Sequence, residues 1–513
     1  MPEHIRALIV ILVLSSTVFA IAKQPACQLI PAKDFSRRRN AWFGITLAAF
    51  LAHSFWIYVI VSSAMILMLS KRENRPVALF LILAFAVPAA QVQIPGLGLV
   101  NYLFSLTHQR LLALVILFPA FLILIGRKNL PRFGHLLPDK LIASYMVLVL
   151  LLFLRETSIT DVFRQGFYLF VDVFLPYYVI SRSIRTIDDF RHVLLAFVLA
   201  TMVISLIGVF EATRHWLLYK SLIGTLDMNE AMTGYLERSG ILRAITSVGH
   251  PIALGYVMTV ALGFYLFLQR FVRRPLFRHL GFLLILSGLL AALSRGPWVG
   301  AVFSIFVFIA TGRYAIRKLA KLSLAAIVAL LIVSVMPGGD RIIGLIPFVG
   351  ETEKGNISYR ERLFTNSIVV IQRHPLLGSV NFRAAPEMQE LRQGQGIIDI
   401  VNSYIGIALE TGFVGLTLFA GFFIAICWQL FKSIRSIRDH KSQEHLLGRC
   451  LLATLLGIML IIATVSSITI IPLVYWSVAG ICVAYIVMIK QQQRRARTRV
   501  VSGELDSPEL TGK

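Results

Sequence analysis

Apolar runs of about twenty residues follow one another along nearly the whole chain, separated by short polar connections. Clear examples are residues 5–22, 42–69, 193–210, 322–336 and 470–489. An α-helix needs about 20 apolar residues to cross the hydrocarbon core of a bilayer, and its backbone groups pair within the helix, as lipid requires. These runs lack the alternation of polar and apolar residues that membrane strands show. The sequence therefore predicts an all-α, polytopic transmembrane helix bundle of about twelve to fourteen helices.

The positive charge of the chain is distributed as a topology signal. The formal net charge is +24, but Lys and Arg are concentrated in short loops between apolar runs, as in the cytoplasmic loops of membrane proteins. The basic loops are residues 71–75, 127–140, 182–191, 270–278, 313–321, 432–449 and 490–499. We expect these loops in the cytoplasm, and we expect no nucleic-acid partner.

One segment disagrees with this alternation. If both chain termini lie in the cytoplasm, residues 23–39 are external, yet they are rich in basic side chains. The 42–69 run is long enough to tilt strongly or to break near His53, and a break would move Arg37–Arg39 of this segment to the cytoplasm. Residues 5–22 have the character of a signal peptide, but the start of the chain is only weakly basic and no small-residue cleavage site follows. We therefore expect a retained anchor.

Polarity also divides the chain into four parts. We expect about eleven transmembrane helices in residues 1–336 and the remaining three in residues 401–489. Between them lies a large polar loop, residues 337–400, which we place in the periplasm, and residues 490–513 form a basic tail that we expect to be disordered and cytoplasmic. The external polar residues are concentrated in the 337–400 loop, so the sequence predicts that the functional face is external.

Several classes of site are excluded by the motifs that are missing. The four cysteines, Cys27, Cys427, Cys450 and Cys482, form no CxxC pair, so we expect them to pack structurally and to bind no metal. The sequence contains no Walker motif, HExxH or EF-hand pattern. A motor ATPase and a zinc protease are therefore excluded, and we expect no metal and no cofactor.

Arginines stand on the external side against the positive-inside trend, at Arg238, Arg243, Arg295 and the pair Arg360 and Arg362. Arg295 is the most informative, because it separates two apolar runs with no room for a long loop and so lies near the membrane surface. One interpretation is a helix-end arginine whose side chain reaches water. The other is a guanidinium that binds an anionic headgroup, since Arg forms bidentate bonds to phosphate and keeps its proton.

The external loop contains one segment with a helical pattern. Residues 359–371 have apolar side chains at helical spacing behind Arg360 and Arg362. We expect an amphipathic helix that lies over the bundle and presents its basic end to a substrate. The alternative is a solvated surface helix in which Glu361 pairs with its arginine neighbours.

The order of four short motifs resembles the O-antigen ligase and O-antigen polymerase superfamily of bacterial membrane glycosyltransferases. The motifs are Arg243 before Gly249-His250-Pro251, then Ser294-Arg295-Gly296, then Arg362 before Pro375-Leu376-Leu377-Gly378, and Asn402 before Gly412-x-x-Gly415. The resemblance covers residues 190–430, and the earlier helices match only in character. Each motif is short, so the resemblance depends on their order and on their common placement outside the membrane.

The resemblance implies an inverting glycosyl transfer at the periplasmic face of the inner membrane of a Gram-negative cell. The donor is a glycan linked to undecaprenyl pyrophosphate, the acceptor is a sugar hydroxyl, and neither a nucleotide sugar nor a metal takes part. Its implied partners are this lipid-linked glycan, membrane lipid, and chain-length regulators or export proteins. As catalytic groups it implies Arg243 and Arg362, which stabilise the leaving pyrophosphate. Substrate contacts are expected from Arg295, Arg360, Arg238, His250, Asn402 and His374.

One position departs from the family pattern. Ligases of this superfamily carry a His-Asn pair where this chain has Val401-Asn402, so the imidazole expected as general base is absent. The carboxylate of Asp399 is the first candidate to replace it, although Asp is also a good helix cap. The other candidates are His374, Glu361, Glu410 and His250, the last of which can equally be a helix-start histidine.

Val401 favours a polymerase of exopolysaccharide or O-antigen repeat units, in which the acceptor is another lipid-linked glycan. A ligase that transfers glycan to lipid A core is the first alternative. A transporter or flippase of lipid-linked glycans also has many helices, but it usually shows internal repeats, and this sequence shows none that convinces. A non-catalytic scaffold in an export complex is the last alternative.

Overall fold

The computed structural model describes residues 1–501 except 97, 99, 129, 229–233, 239, 337–353, 394 and 395. It is 74% helical with almost no sheet, which confirms the predicted all-α polytopic bundle. In this described part, eight helices are long and apolar enough to cross a membrane, and three shorter helices are also apolar. Shorter and interrupted helices complete the bundle.

The helices are numbered here in chain order. The first are α1 (Glu3–Ala26), α2 (Ala32–Leu51), α3 (Phe55–Ser70), α4 (Pro76–Leu83), α5 (His108–Ile125) and α6 (Leu137–Glu156). The next are α7 (159–183), α8 (Ile187–Arg214), α9 (Lys220–Thr225), α10 (Pro251–Leu268), α11 (Pro275–Ala291), α12 (Arg295–Ala310) and α13 (Ala315–Val335). The last are α14 (Lys354–Arg373), α15 (Pro386–Gln389), α16 (Ser403–Arg435), α17 (Gln443–Ile462) and α18 (Ile471–Val501).

Two small antiparallel hairpins join the helices. Strands β1 (Gln91–Pro95) and β2 (Tyr102–Thr107) pair with Gln91 opposite Thr107, and β3 (Glu237–Arg238) pairs with β4 (Ile241–Leu242). The first hairpin lies on α7, where the Ser105 N–H donates to the Tyr168 hydroxyl at 2.8 Å. The most buried of the long helices are α8, α10 and α18, which form the centre of the bundle.

The basic loops meet at one end of the bundle, called here the basic end. Arg75 pairs with Asp188 at 2.5 Å and so joins the loop after α3 to the start of α8. Arg191 donates to Gln443 Oε1 at 2.7 Å, and its guanidinium lies 4.6 Å from the centre of the Phe271 ring. The loops before α4, α8, α11 and α17 therefore share one side of the protein. The opposite end is called the site end.

The first helix runs in the direction opposite to the one expected. Trp216, which follows α8 at the site end, donates its Nε1–H to Glu3 at 3.0 Å. Gln28, which follows α1, accepts from the backbone N–H of Arg273 at the basic end, also at 3.0 Å. The N-terminus therefore lies at the site end, whereas Lys490 in the last helix bonds Gln429 at the basic end. The expectation that both termini share one side was wrong, because the basic residues 23–39 follow the charge rule and not the helix count.

Of the two possibilities for the long 42–69 run, strong tilt or a break near His53, the structure has the break. Helix α2 ends at Leu51, and the Ser54 hydroxyl accepts from the Ile57 N–H at 3.3 Å to cap the start of α3. The chain thus returns to the basic end, where the buried Arg38 pairs with Glu73 at 3.0 Å. This pair fixes the hairpin of α2 and α3 against the following loop.

Glu73 makes the stability of the basic end depend on pH. Burial of the carboxylate opposes its ionisation, but the bonds from Arg38 and Arg37 outweigh burial and lower the pKa of Glu73 below its ordinary value of 4.5. A lowered folded-state pKa stabilises the protein above the unfolded pKa, and this stabilisation is lost as the pH falls through the folded value.

We expect the Tm of Glu73→Gln, measured in detergent, to fall less between pH 6 and pH 3 than that of the wild type. The reason is that the amide introduced by this substitution has no carboxylate to protonate. The exposed Glu361 supplies the control, since Glu361→Gln should keep the wild-type pH dependence. An equal fall in Glu73→Gln and the wild type would contradict the assignment.

The expectations for the loop after α13 and for the C-terminal segment have different outcomes. Helix α14 confirms the amphipathic helix predicted for residues 359–371, although residues 337–353 of the same loop lie outside the described residues. Residues 490–501 continue α18, where a disordered tail was expected. The rest of the expected tail, 502–513, also lies outside the described residues.

Candidate functional site

A polar cavity with a volume of about 770 Å³ opens at the site end. Its walls come from α6, α7, the first turns of α16 and α18, and the segment before α16. Ionisable side chains on these walls are Asp172, Arg383, Arg392, Asp399 and Glu410. Sequences distant along the chain therefore form one chamber, which contains two of the candidate bases, Asp399 and Glu410.

Asp399 is held by its backbone and by one carboxylate oxygen. The Tyr359 hydroxyl donates to the Asp399 carbonyl at 2.9 Å and accepts from its N–H at 3.1 Å. Burial raises the pKa of Tyr359, so its hydroxyl stays protonated and able to donate. The Ser466 hydroxyl donates to Asp399 Oδ1. The half-buried carboxylate is thus fixed in orientation on the wall of the cavity.

The cap of α16 is Asn402 and not Asp399. Its Oδ1 accepts from the N–H groups of Tyr404 at 2.9 Å and Ile405 at 3.2 Å, which is the usual bonding of an N-cap side chain. Asn402 lines the cavity while it holds the start of the helix. Helix capping, the alternative role considered for Asp399, is therefore performed by Asn402.

Two cavity arginines, Arg383 and Arg392, were not singled out from the sequence. Both are exposed on the cavity rim, and the Arg383 guanidinium lies 4.8 Å from the centre of the Phe382 ring. The signal that could have found them is the one used for the other arginines, namely positive charge in an external segment. They place two cations at the mouth of a chamber that contains Asp399 and Glu410.

The expected arginines converge beside this cavity on two turns, residues 292–296 and 463–468. Arg238 donates to the Leu293 carbonyl at 2.6 Å, and Arg243 donates to the Ala292 carbonyl at 3.4 Å. Arg295 begins α12 directly after these carbonyls. Arg360 reaches the second turn and donates to the Thr464 carbonyl at 3.2 Å. These four side chains are called here the arginine cluster.

The two turns touch each other. A Cβ atom on Gly296 would lie 2.8 Å from Thr464 Oγ1, so a larger residue at position 296 would press against the Thr464 side chain. Thr464 is two residues from Ser466, and two residues span at most about 7 Å. Arg360 and the Asp399 carboxylate are therefore attached to opposite ends of one three-residue stretch, and the turn that holds the other arginines touches this stretch at Gly296.

Strained backbone conformations are found in the turns around the cluster. Thr246, Leu293 and Thr469 have positive φ values of 49°, 45° and 48°, which are uncommon for residues other than glycine. Such conformations persist only where the surrounding structure fixes them, and they are frequent at functional sites.

Glu211 fixes the segment that carries Arg243. This buried carboxylate near the end of α8 accepts from the N–H groups of Ile245 at 3.1 Å and Thr246 at 2.8 Å through Oε2. Its Oε1 accepts from the Leu218 N–H at 3.1 Å. One side chain thus orders both the chain that leaves α8 and the chain that enters α10.

The two histidines expected at the site, His250 and His374, lie in different parts of the structure. His250 caps α10, where its Nδ1 accepts from the Ile252 N–H at 3.1 Å. Burial and the nearby Arg243 lower the pKa of His250 to about 4, so the ring is neutral at neutral pH. His374 is exposed at the end of α14 and is not among the cavity residues. Of these two, only His250 lies beside the arginine cluster.

Arg362 and Arg360 lie on different faces of α14. Arg362 is exposed and close enough to Tyr359 to act on its pKa, and residues three apart are neighbours on a helix surface. It therefore lies on the Asp399 side, whereas Arg360 lies on the Thr464 side. Glu361 is exposed on the same helix and does not line the cavity.

The loop after α14 is built into a break in α16. Gly412 interrupts this helix with φ 66° and ψ −169°. The freed N–H groups of Phe413 and Val414 donate to the carbonyls of Pro375 at 2.8 Å and Leu376 at 3.1 Å. The 375–379 loop thus replaces the helical bonds lost at Gly412 and joins α14 to the bundle next to Glu410.

The described residues offer no group of three His, Cys, Asp or Glu side chains that could hold a metal ion. The acidic groups of the cavity are instead accompanied by arginines. This arrangement suits an organic anion, with carboxylates available to accept a proton.

Part of the chain matches a known protein family. Residues 280–420 match the O-antigen ligase family, and no curated protein matches the chain. The matched range contains Arg295, Arg360, Arg362 and Asp399, and it includes the break at Gly412. It confirms the resemblance to the O-antigen ligase-like superfamily, and it indicates a multi-pass bacterial membrane protein of the glycosyl-transferring ligase or polymerase type, with a lipid-linked glycan as substrate.

Proposed function

We propose that this O-antigen ligase-like protein polymerises the repeat units of an exopolysaccharide or O-antigen. Its donor is a glycan on undecaprenyl pyrophosphate, and its acceptor is the sugar hydroxyl of a second lipid-linked glycan. The observation that carries the proposal is the position of the arginine cluster, on two touching turns, directly beside the cavity that contains Asp399, at the end opposite the basic loops. By the positive-inside rule, this end faces the periplasm of an inner membrane.

In the proposed reaction, Asp399 is the general base. Its carboxylate takes the proton of the acceptor hydroxyl while the hydroxyl oxygen attacks C1 of the donor sugar. The bond from C1 to the pyrophosphate oxygen breaks, and its electron pair leaves with the pyrophosphate. Attack from the face opposite the leaving group inverts the configuration at C1. No metal enters this scheme.

The arginine cluster is proposed to hold the pyrophosphate. Negative charge grows on the leaving group as the C1–O bond breaks, and guanidinium groups already in position stabilise that charge without reorganisation. Arg243, Arg295 and Arg360 are held by separate elements, so each approaches the same region from a different direction. Arg362 was expected at the leaving pyrophosphate, but it lies on the Asp399 side of α14 and apart from the cluster, so we assign it to the acceptor instead.

The rim arginines Arg383 and Arg392 extend this assignment to the glycan. They are exposed at the mouth of the chamber, where a growing chain would enter. Arg side chains bind hydroxyl and carboxylate oxygens of sugars through several N–H donors. We assign them to the acceptor glycan rather than to the leaving group.

Val401 favours a polymerase over a ligase in this proposal. The side chain at position 401 packs against the apolar cluster that includes Tyr359 and Leu363, so it supplies no base. Asp399 must then supply the base for an acceptor chosen by the cavity. The ligase and the lipid-linked glycan transporter remain the competing functions.

Deletion of the gene in its host tests the function. Analysis of lipid-linked and surface glycans by gel and mass spectrometry should show single repeat units that accumulate on the lipid carrier. Accumulation of full-length lipid-linked polymer would indicate a ligase instead. Unchanged glycans would overturn the glycosyltransferase proposal and favour the transporter.

Substitutions in the arginine cluster should lower polymer formation about tenfold or more. We expect this for Arg295→Lys, because lysine keeps the charge but cannot form bidentate bonds to phosphate, and for Arg243→Gln. The measurement is polymer synthesis in membranes of the complemented deletion strain, normalised to protein level. Arg278→Gln, at the basic end, is the matched control and should retain wild-type synthesis. Wild-type polymer synthesis by both cluster variants would contradict a role of the arginine cluster in the reaction.

A further inference from the structure

A second cavity lies in the half of the bundle that faces the basic end. It is a groove of about 240 Å³ between α1, α8, α10 and α11. Helices α1 and α11 both pack on α8, and the groove lies between them. Its walls are formed almost entirely by apolar side chains, among them Val18, Ala22, Leu199, Met202 and Leu280.

The groove ends beneath a polar mouth at the basic end. A separate cavity of about 500 Å³ is lined there by Gln28, Leu29, Arg191, Phe271 and Arg273, together with Cys27. Leu29 lines both cavities, so the apolar groove and the polar mouth are adjacent. A molecule with an apolar tail and an anionic head would match both parts.

The guanidinium of Arg191 is built into this mouth. It lies over the Phe271 ring and donates through Nη2 to Gln443, while its buried Nε has no hydrogen-bond partner among the described residues. The Arg273 side chain is exposed beside it. Within the described part of the chain, neither arginine has a carboxylate at salt-bridge distance. Two cations therefore face a site that lacks its own counter-charge.

We infer that the mouth and groove bind a phospholipid with an anionic headgroup. The phosphate contacts Arg191 and Arg273, and one acyl chain lies in the groove. A groove of about 240 Å³ with apolar walls suits a segment of a single acyl chain. Basic pockets between transmembrane helices are suited to anionic lipid headgroups.

This site is separate from the proposed glycosyltransferase site. It lies at the basic end, whereas the arginine cluster and Asp399 lie at the site end. A polyprenyl pyrophosphate held by the arginine cluster would have its phosphates on the other side of the bundle. The occupant is therefore a structural lipid that holds α1 against α8 and α11, and the inference does not depend on the proposed function.

Native mass spectrometry of the detergent-purified protein tests the site. The probes are phosphatidylglycerol, which is anionic, and phosphatidylcholine, which is zwitterionic. We expect the wild type to retain at least about tenfold more phosphatidylglycerol, since only this lipid carries a net negative headgroup. Equal retention of the two lipids would overturn the inference.

Substitutions of the mouth arginines test where the phosphatidylglycerol headgroup binds. The double variant Arg191→Gln/Arg273→Gln should lose about tenfold in phosphatidylglycerol retention, while Arg274→Gln, an exposed neighbour that does not line the mouth, should bind as the wild type. Arg273→Gln alone keeps the test valid if the Arg191 change disturbs folding. Unchanged retention in these mouth variants contradicts the site.

A substitution in the groove tests whether the acyl chain of the lipid lies there. Leu280→Trp should reduce retention of phosphatidylglycerol without changing a charge, because the larger ring fills the space of the acyl chain. Undecaprenyl phosphate added as a competitor should leave the bound phosphatidylglycerol in place. Displacement by this competitor would assign the groove to the polyprenyl lipid instead and overturn the inference.

Discussion

Replacing Asp399 with asparagine is expected to lower the rate of glycosyl transfer by at least about 100-fold, the usual contribution of a positioned general base. Asparagine has nearly the shape of aspartate but cannot take a proton from the acceptor hydroxyl. Its side-chain oxygen can still accept from Ser466, and the backbone bonds with Tyr359 are unaffected. The loss should therefore be in chemistry and not in folding.

The measurement is conversion of lipid-linked repeat units to polymer in membranes of the deletion strain complemented with Asp399→Asn. Two carboxylate variants accompany it. Glu361→Gln, on the exposed face of α14, is the control for removal of a nearby charge and should retain wild-type activity. Glu410→Gln tests the other acid of the cavity. Loss in Glu410→Gln with full activity in Asp399→Asn would transfer the role of base to Glu410.

Replacing Gly412 with alanine is expected to cost more than about 3 kcal/mol of stability. Its backbone conformation, φ 66° and ψ −169°, belongs to a region that essentially only glycine adopts, and strain of this kind costs about 1–3 kcal/mol. A Cβ atom would also lie 2.3 Å from the carbonyl carbon of Leu376. The second effect adds to the first, because the backbone of the 375–379 loop must move away and lose its bonds to α16.

The same helix supplies the control. A Cβ atom on Gly421 would meet nothing within 4 Å, so Gly421→Ala should be neutral or slightly stabilising, as expected for an alanine in a helix interior. Both variants are compared by thermal unfolding in detergent. Equal Tm values for Gly412→Ala and the wild type would mean that the break in α16 is not an essential part of the fold.

The sequence predicted those parts of the molecule that depend on local pattern. Apolar runs predicted the bundle, helical spacing predicted α14, and charge against the positive-inside trend pointed to Arg243, Arg295 and Arg360. The convergence of these arginines required the close contact of Gly296 with Thr464, which joins residues far apart along the chain. Local pattern carries no information about such a contact.

Other features were missed for identifiable physical reasons. The direction of α1 was wrong because helix counting was preferred to the positive charge of residues 23–39. The break at Gly412 follows Glu410 and Thr411 inside a mostly apolar stretch that has no Pro to mark it, and only the 375–379 loop reveals how the lost bonds are replaced. Arg383 and Arg392 carried a usable signal but stood apart from the family motifs. The spacing of Asp399 and Asn402 before α16 does not show which of the two side chains accepts the N–H groups of the first turn, so the cap of this helix could not be predicted.

The stretch from Thr464 to Ser466 mechanically links the two halves of the candidate site. Arg360 is attached to its first residue and Asp399 to its last, so a shift of one side is transmitted to the other over less than a single helical turn. If a donor draws Arg360 away from the Thr464 carbonyl, the Ser466 hydroxyl and the carboxylate that it orients move in the same event. Binding of the pyrophosphate at Arg360 and alignment of the Asp399 carboxylate would then occur together. Without a bound donor, Asp399 would be poorly aligned to activate water.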